Sequence, residues 1–203
     1  MKNKTESRRE EIINACEKLY QTMSFKDMTL KEIGKETSFS RPSIYNYFQT
    51  KEEIFLALLK REYDAWIQEL KDVMSANETM SNEKIADVLA SSLNGHQQLL
   101  KILSMNHYDL EEKSGMDALI DFKGSYGHAI QTISNMLEKY RKDMDEKARE
   151  KFIYSFFPFM FGIYPYAMVT QKQKEAMEKA HVNFIYISIY DLVYSMTKQL
   201  LEE

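Results

Sequence analysis

Apolar residues recur at helical spacing along almost the whole chain. Phe55, Leu59, Tyr63, Trp66 and Leu70 follow one another at intervals of 4, 4, 3 and 4, which places them on one face of an α-helix. Only 6 Gly and 3 Pro interrupt the 203 residues, so we expect an all-α fold. Comparable patterns predict nine helices, at about residues 6–23, 30–36, 40–48, 50–74, 83–93, 96–105, 119–140, 146–169 and 172–201, with a loop at 106–116.

Charge divides the chain into two unequal parts. Residues 1–51 carry 10 basic and 7 acidic side chains, a net charge of +3, whereas residues 52–203 carry 17 and 24, a net charge of −7. A small basic head on a larger acidic body fits a nucleic-acid-binding module joined to a different domain. We therefore predict one domain at residues 1–50 and a second at residues 51–203.

Targeting signals are weak in this sequence. The charged N-terminus lacks the apolar stretch of a signal peptide, and the single cysteine, Cys16, cannot form an internal disulfide, so we expect a cytoplasmic protein. The uncharged run at 152–169 has 18 residues, the lower limit for a membrane span. It also contains Pro158, Gly162 and Pro165, so we expect a buried or interface helix and no membrane contact.

Helix-start signals bracket a short segment near the N-terminus. The motifs TLKE at 29–32 and TKEE at 50–53 each match a capping box, in which a threonine hydroxyl accepts a backbone N–H. Residues 37–39 interrupt the helical pattern, after which Ser40 can cap a helix that has Pro42 in its first turn. Two short helices separated by a three-residue turn predict a helix-turn-helix.

The second of these helices has side chains suited to DNA. Arg41 can donate to guanine or to phosphate, and Asn46 can pair with adenine. Hydroxyl groups in the same segment can donate to phosphates, while Ile44 and Phe48 would anchor the helix inward. The residues that we expect to contact DNA are Thr29, Ser40, Arg41, Pro42, Ser43, Tyr45, Asn46, Tyr47 and Lys51.

The stretch from Met28 to Phe55 resembles the signature of the TetR family of bacterial transcriptional regulators. The matching residues, in register without a gap, are Thr29, Ile33, Ser40, Ile44, Tyr45, Tyr47, Phe48, Lys51 and Glu52. The resemblance implies a three-helix DNA-binding domain followed by a helical bundle with an effector cavity. It also implies a homodimer formed through the last two helices, at about 146–169 and 172–201.

The signature is not matched everywhere. Ser38 stands where the family has glycine in the turn, and Pro42 where glycine is frequent. A left-handed residue other than glycine costs roughly 1 kcal/mol, so we expect a slightly strained or altered turn at Ser38.

An effector pocket is harder to locate. The 13 Met, 13 Tyr and 11 Phe suggest an adaptable interior that would accept a small apolar or aromatic effector, although the same residues could be core alone. The candidates are five aromatic residues and two histidines that could serve as a polar partner: Trp66, Phe122, Tyr126, Phe157, Phe161, His107 and His128.

These observations favour a ligand-responsive regulator, in the first place a repressor that binds a palindromic operator on double-stranded DNA as a dimer. The alternatives are an all-helical protein-interaction module without DNA binding, and a DNA-binding activator that senses a protein partner. We expect no enzyme, cofactor or metal site, because no catalytic motif is present and the run at 107–112 (HYDLEE) has no regular ligand spacing. Cys16 lies on an apolar stripe and is interpreted as a small hydrophobic residue.

Overall fold

The computed structural model describes residues 4–39, 41–105 and 107–202, which form eleven helices and no strand. The all-α prediction is confirmed. The helices are α1 (Lys4–Tyr20), α2 (Leu30–Lys35), α3 (Arg41–Ile44), α4 (Lys51–Ala76), α5 (Asn82–Gly95), α6 (Gln97–Leu103), α7 (His107–Glu112), α8 (Met116–Tyr140), α9 (Glu146–Ala167), α10 (Gln171–Lys179) and α11 (Ile189–Glu202).

Two predicted elements are wrong. The expected loop at 106–116 contains α7, a six-residue helix with a single fully buried apolar side chain, Leu110, and therefore no apolar period to detect. The single helix expected at 172–201 is two helices, α10 and α11. His181 adopts a left-handed φ of 55° after α10. The following residues, VNFIYIS at 182–188, are non-helical, and their β-branched and aromatic side chains favour an extended backbone.

The chain forms two compact units, each with its own core. The first comprises residues 4–61 and 107–126, and the second comprises residues 62–105 and 127–202, so both long helices, α4 and α8, contribute to both units. All five residues of the predicted α4 stripe are fully buried. The amphipathic pattern of this helix is thus confirmed from Phe55 to Leu70.

The first unit packs α1, α2 and α3 with the beginning of α4. Phe55 on α4 meets the rings of Tyr20 and Phe25 edge-on, at centroid distances of 5.0 and 4.9 Å. Arg61 fixes α1 through its guanidinium, which donates to Asn14 and pairs with Glu17 at 2.6 Å. The first unit therefore has a closed apolar core that supports its short helices.

The second unit is centred on Trp66. In this unit α5 packs against α11, while α6 and α11 both contact α9. Trp66 is fully buried and donates its indole N–H to the Ser92 hydroxyl at 2.9 Å, and that hydroxyl donates to the carbonyl of Leu89. Its ring meets Phe157 edge-on at 6.4 Å. The indole ring of Trp66 is thus packed in the core, and its one polar atom has a hydrogen-bond partner.

His96, between α5 and α6, lies close to two carboxylates. Its Nε2 lies 3.0 Å from Glu69, and its Nδ1 lies 3.9 Å from Glu62. The carboxylates of Glu62 and Glu69 raise the pKa of His96 above the ordinary 6.5, against the opposing effect of burial. Because the folded-state pKa is the higher one, this stabilisation is complete below pH 6.5 and is lost as the pH rises through the folded-state value.

We expect the free energy of unfolding to fall more in the wild type than in His96→Gln as the pH rises from 6 to 9. The difference should be at most about 1 kcal/mol, because the pair is partly exposed. Urea unfolding at several pH values measures it. The same pH dependence in both proteins would contradict the role of His96.

Among the helices that the structure describes, none alone has the length and apolar character of a membrane span. The pair α9 and α10, bent by 79° at the break between them, reaches that length and composition only when taken together.

Candidate nucleic-acid interface

Thr29 begins α2 as the sequence predicts. Its side-chain oxygen accepts the backbone N–H of Glu32 at 3.2 Å, while the Glu32 carboxylate accepts from Lys35. The threonine is exposed, and a hydroxyl that accepts a bond can still donate its own proton. Thr29 is therefore placed at a helix N-terminus where an anion is favoured.

The turn between α2 and α3 differs from the left-handed turn of the signature. Ser38 donates its backbone N–H to the carboxylate of Glu11 on α1, and the Thr37 hydroxyl donates to the carbonyl of Gly34 at 3.0 Å. Among the described non-glycine residues, only His181 has a positive φ. Ser38 is thus not left-handed, so the turn is altered and the expected strain at this residue is absent.

Helix α3 is shorter than predicted. It covers only Arg41–Ile44, with Pro42 in the first turn, and tight turns follow in which Tyr47 and Phe48 donate their N–H groups to the carbonyl of Ile44. The Gln49 side chain donates to the carbonyl of Tyr45 at 2.6 Å and closes this end of the segment. The predicted N-cap, Ser40, and the side chain of Arg41 lie outside the described residues.

The segment at residues 41–49, which we call the recognition segment, has two chemically different sides, as expected. The anchors Ile44 and Phe48 are 0% and 2% exposed, which confirms their inward position. Tyr45 is 40% exposed and Asn46 is also exposed, whereas Ser43 and Tyr47 are half-buried. Hydroxyl and amide groups thus reach the surface from a rigid base, and their contact with DNA stays a prediction.

Lys51 is partly engaged within the protein. Its ammonium donates to the carbonyls of Phe25 and Met28 at 2.7 and 2.9 Å, and it lies 4.2 Å from the centroid of the Phe25 ring. These contacts fix the turn between α1 and α2. An ammonium has three protons, so a phosphate contact would use the remaining one.

Arginines of α1 are the feature that sequence reasoning missed. Arg9 donates to the carbonyl of Tyr47 at 3.1 Å and lies 4.4 Å from the centroid of the Phe48 ring. Arg8 donates to the Tyr47 hydroxyl at 3.4 Å and lies 5.6 Å from the centroid of the Phe39 ring. Arg8 and Tyr47 are 39 residues apart, so only the excess of basic residues near the N-terminus could have indicated them.

Thr50 and Glu53 connect the start of α4 with the turn before α8. The Thr50 hydroxyl accepts the N–H of Glu53 and donates to the carbonyl of Lys113, both at 3.2 Å. The Glu53 carboxylate accepts the N–H of Gly115 at 3.0 Å, and a Cβ at Gly115 would lie 3.0 Å from the same oxygen. Glycine therefore allows a close approach that links this turn to the start of α4.

The candidate effector residues are divided between the two units. In the first unit Phe122 is buried, with its ring centroid 6.4 Å from that of Tyr126. In the second unit Phe157 is buried beside Trp66, Phe161 is half-buried and His128 is exposed. The side chain of His107 lies outside the described residues. A pocket formed by this set stays a prediction.

Cys16 and the acidic residues show no reactive arrangement. Burial raises the pKa of the Cys16 thiol from 9.0 to about 12, so it is protonated at neutral pH and agrees with the interpretation as a small hydrophobic residue. Within the described part of the chain, no group of three or more His, Cys, Asp or Glu side chains is arranged to hold a metal ion.

The second unit presents an uncharged surface on α9, which we call the α9 face. It consists of exposed residues on one side of the helix, namely Tyr154, Pro158, Gly162, Pro165 and Tyr166. Tyr166 separates two open clefts of about 270 and 400 Å³; Leu192 lines the first, and Met177 and Phe184 line the second. Further apolar side chains are exposed after α10, at Val182, Ile185, Tyr186 and Ile187.

The chain matches two protein-family models that together cover most of its length. Residues 12–58 match the model described as bacterial regulatory proteins, tetR family. Residues 60–201 match the model described as tetracyclin repressor-like, C-terminal domain. The boundary between the two matches falls within α4.

Individual relatives agree with these models. The transcriptional repressor NemR of Escherichia coli is 31% identical over 144 residues, which are 66% of this chain and 69% of NemR. FadR of Thermus thermophilus, a TetR family repressor solved with lauroyl-CoA, superposes with a TM-score of 0.61 at 17% identity, over 96% of this chain and 94% of FadR. RolR, solved with resorcinol, gives a TM-score of 0.56 at 14% identity, over 96% of this chain and 94% of RolR.

Proposed function

The chain belongs to the TetR family of bacterial transcriptional regulators, and from that membership we propose that it is a dimeric, ligand-responsive repressor. The observation that carries DNA binding is the two-sided recognition segment, in which Ile44 and Phe48 are buried while Tyr45 and Asn46 are exposed. A segment of this kind enters the major groove and presents side chains to base edges and phosphates.

We propose a DNA-contacting set that includes residues of both short helices and the beginning of α4. Asn46 pairs with a base, and the hydroxyl groups and Lys51 bind phosphates. The full set is Thr29, Ser40, Arg41, Pro42, Ser43, Tyr45, Asn46, Tyr47 and Lys51. Residues 1–50 would then be the DNA-binding domain and residues 51–203 the effector-binding and dimerisation domain.

Asn46→Ala should weaken operator binding by about 10- to 100-fold and leave its salt dependence unchanged, because a lost base contact releases no counterion. The probe is the duplex that the wild-type protein enriches from a random-sequence pool, and a mobility-shift titration at several salt concentrations gives both quantities.

Asn94→Ala is the matched control, because Asn94 is also exposed on a helix but lies in the second unit. It should bind as tightly as the wild type. If Asn46→Ala and Tyr47→Ala both bound like the wild type, the assignment of this segment to DNA would be wrong.

We propose that the dimer forms through the C-terminal helices α9, α10 and α11. The α9 face and the exposed residues at 182–187 carry no acidic or basic side chain, and an uncharged apolar surface of this extent indicates a protein interface. A two-fold dimer places two recognition segments one DNA turn (roughly 34 Å) or somewhat more apart, which predicts a palindromic operator.

The effector that we propose is small and largely apolar or aromatic. The fold relatives FadR and RolR were solved with lauroyl-CoA and resorcinol, and the candidate residues here are mostly aromatic. Those residues are Trp66, His107, Phe122, Tyr126, His128, Phe157 and Phe161. The effector would change the separation of the two DNA-binding segments, and the protein would act in the cytoplasm, where the operator is.

A further inference from the structure

A cluster of arginine and aromatic side chains joins α1 to the recognition segment. Arg8 and Arg9 are both half-buried, and each contacts a different part of Tyr47. The ring centroids of Phe39 and Tyr47 are 6.2 Å apart, so the tyrosine lies against a neighbour that Arg8 also covers. The position of the Tyr47 side chain is thus determined by α1 as well as by the tight turn that follows α3.

Arg9 acts on the backbone. Its guanidinium donates to the carbonyl of Tyr47 and lies over the buried ring of Phe48. These two contacts fix the end of the recognition segment after its last helical residues. Arg9 is therefore a positioning residue.

Arg8 acts on the tyrosine hydroxyl. Because this hydroxyl accepts the bond from Arg8, its own proton is directed to another acceptor. A guanidinium carries five N–H groups in a planar fork, so Arg8 can donate to a second acceptor next to the hydroxyl. A phenol O–H and a cationic N–H that lie side by side can each donate a hydrogen bond to one of the two non-bridging oxygens of a phosphodiester.

Two acidic residues close to Arg8 on α1 have other partners. Glu11 accepts the backbone N–H of Ser38, and Glu10 lies 3.6 Å from the guanidinium of Arg61. Both carboxylates are thus bound to other partners, while the guanidinium of Arg8 contacts the Tyr47 hydroxyl.

We propose that Arg8 and Tyr47 bind one DNA phosphate together, with Arg8 as both a phosphate ligand and the residue that orients the tyrosine hydroxyl. This inference rests on the proposed DNA-binding function and extends the interface to α1. A contact with a backbone phosphate contributes to the affinity and to the register of the protein on the duplex, but not to base preference.

A double-mutant cycle tests the pair. The variants are Arg8→Gln, Tyr47→Phe and the double variant, and Tyr47→Phe keeps the ring that packs on Phe39. We expect losses of about tenfold in operator affinity for Arg8→Gln and about fivefold for Tyr47→Phe. The double variant should lose about as much as Arg8→Gln alone, because either change disrupts the same unit.

Salt dependence provides a second readout. Arg8→Gln should reduce the slope of log K against log salt concentration by about 1.8, twice the value of about 0.9 for one phosphate, because the bound dimer carries the substitution in both subunits. Lys18→Gln is the control, since it removes one positive charge from the same helix at an exposed ion pair with Glu36. Its slope and affinity should stay close to those of the wild type. Circular dichroism establishes that all variants are folded.

The outcomes separate this inference from the proposed function. If the wild type enriches no duplex, the DNA-binding function fails and the inference fails with it. If the wild type binds but Arg8→Gln behaves like Lys18→Gln, only the inference is overturned. Losses that multiply in the double variant would also overturn it, because the two side chains would then act independently.

Discussion

Gly162→Glu should convert the protein into monomers and leave its helices intact. Gly162 lies at the centre of the α9 face, is exposed, and has nothing within 4 Å of a Cβ added at this position. The substitution also replaces a helical glycine by a better helix former. In a dimer through α9, however, it would bury a charge without a partner, which should weaken association by at least about 100-fold.

Gly127→Glu is the matched control for this substitution. Gly127 is also helical, exposed and open around its Cβ, but it lies on α8. Sedimentation equilibrium at micromolar concentration should give a dimer for the wild type and Gly127→Glu, and a monomer for Gly162→Glu. The monomer should also lose tight operator binding, because it contacts one half-site at a time. A dimeric Gly162→Glu protein would contradict the proposed interface.

Trp66→Ala should lower the free energy of unfolding by about 3–5 kcal/mol. Trp66 is fully buried, contacts Phe157 edge-on and donates its N–H to Ser92, so its truncation removes packing and leaves a void. Urea unfolding followed by circular dichroism measures the change, since the only tryptophan is lost.

Two further variants separate packing from hydrogen bonding at this site. Trp66→Phe keeps most of the ring, and Ser92→Ala leaves the indole N–H buried without its partner, which should cost about 1–3 kcal/mol. If Trp66→Ala cost less than about 1 kcal/mol, Trp66 would line a space that already holds solvent, and its role in the core would be wrong.

Local patterns in the sequence account for much of the fold. The α4 stripe is buried in full because its apolar spacing follows the helical period from Phe55 to Leu70. The caps at Thr29 and Thr50 are found as predicted, because a cap depends only on residues three positions apart. The burial of Ile44 and Phe48 is likewise predicted from a local apolar pattern.

The remaining features depend on contacts that no local pattern contains. Helix α7 has too few apolar residues to show a period, and the break at 180–188 lies in a segment whose apolar residues also fit helical spacing. In α11 the buried residues are Ile189, Val193, Thr197 and Leu201, and the polar Thr197 is not a residue that an apolar pattern selects. The contact of Arg8 with Tyr47 joins two separate helical segments and becomes visible only in three dimensions.

The alternative of a protein-interaction module without DNA binding has lost its support. The match to the TetR DNA-binding model covers the recognition segment, and the second model covers nearly all of the remaining chain.

Selection of duplexes from a random-sequence pool by the wild-type protein tests the central claim most directly. We predict that one palindromic sequence is enriched, and that its affinity falls by at least about 100-fold between 50 and 200 mM salt because many phosphates are contacted. No enriched sequence, or binding that does not depend on salt, would contradict the claim that this chain is a dimeric DNA-binding regulator.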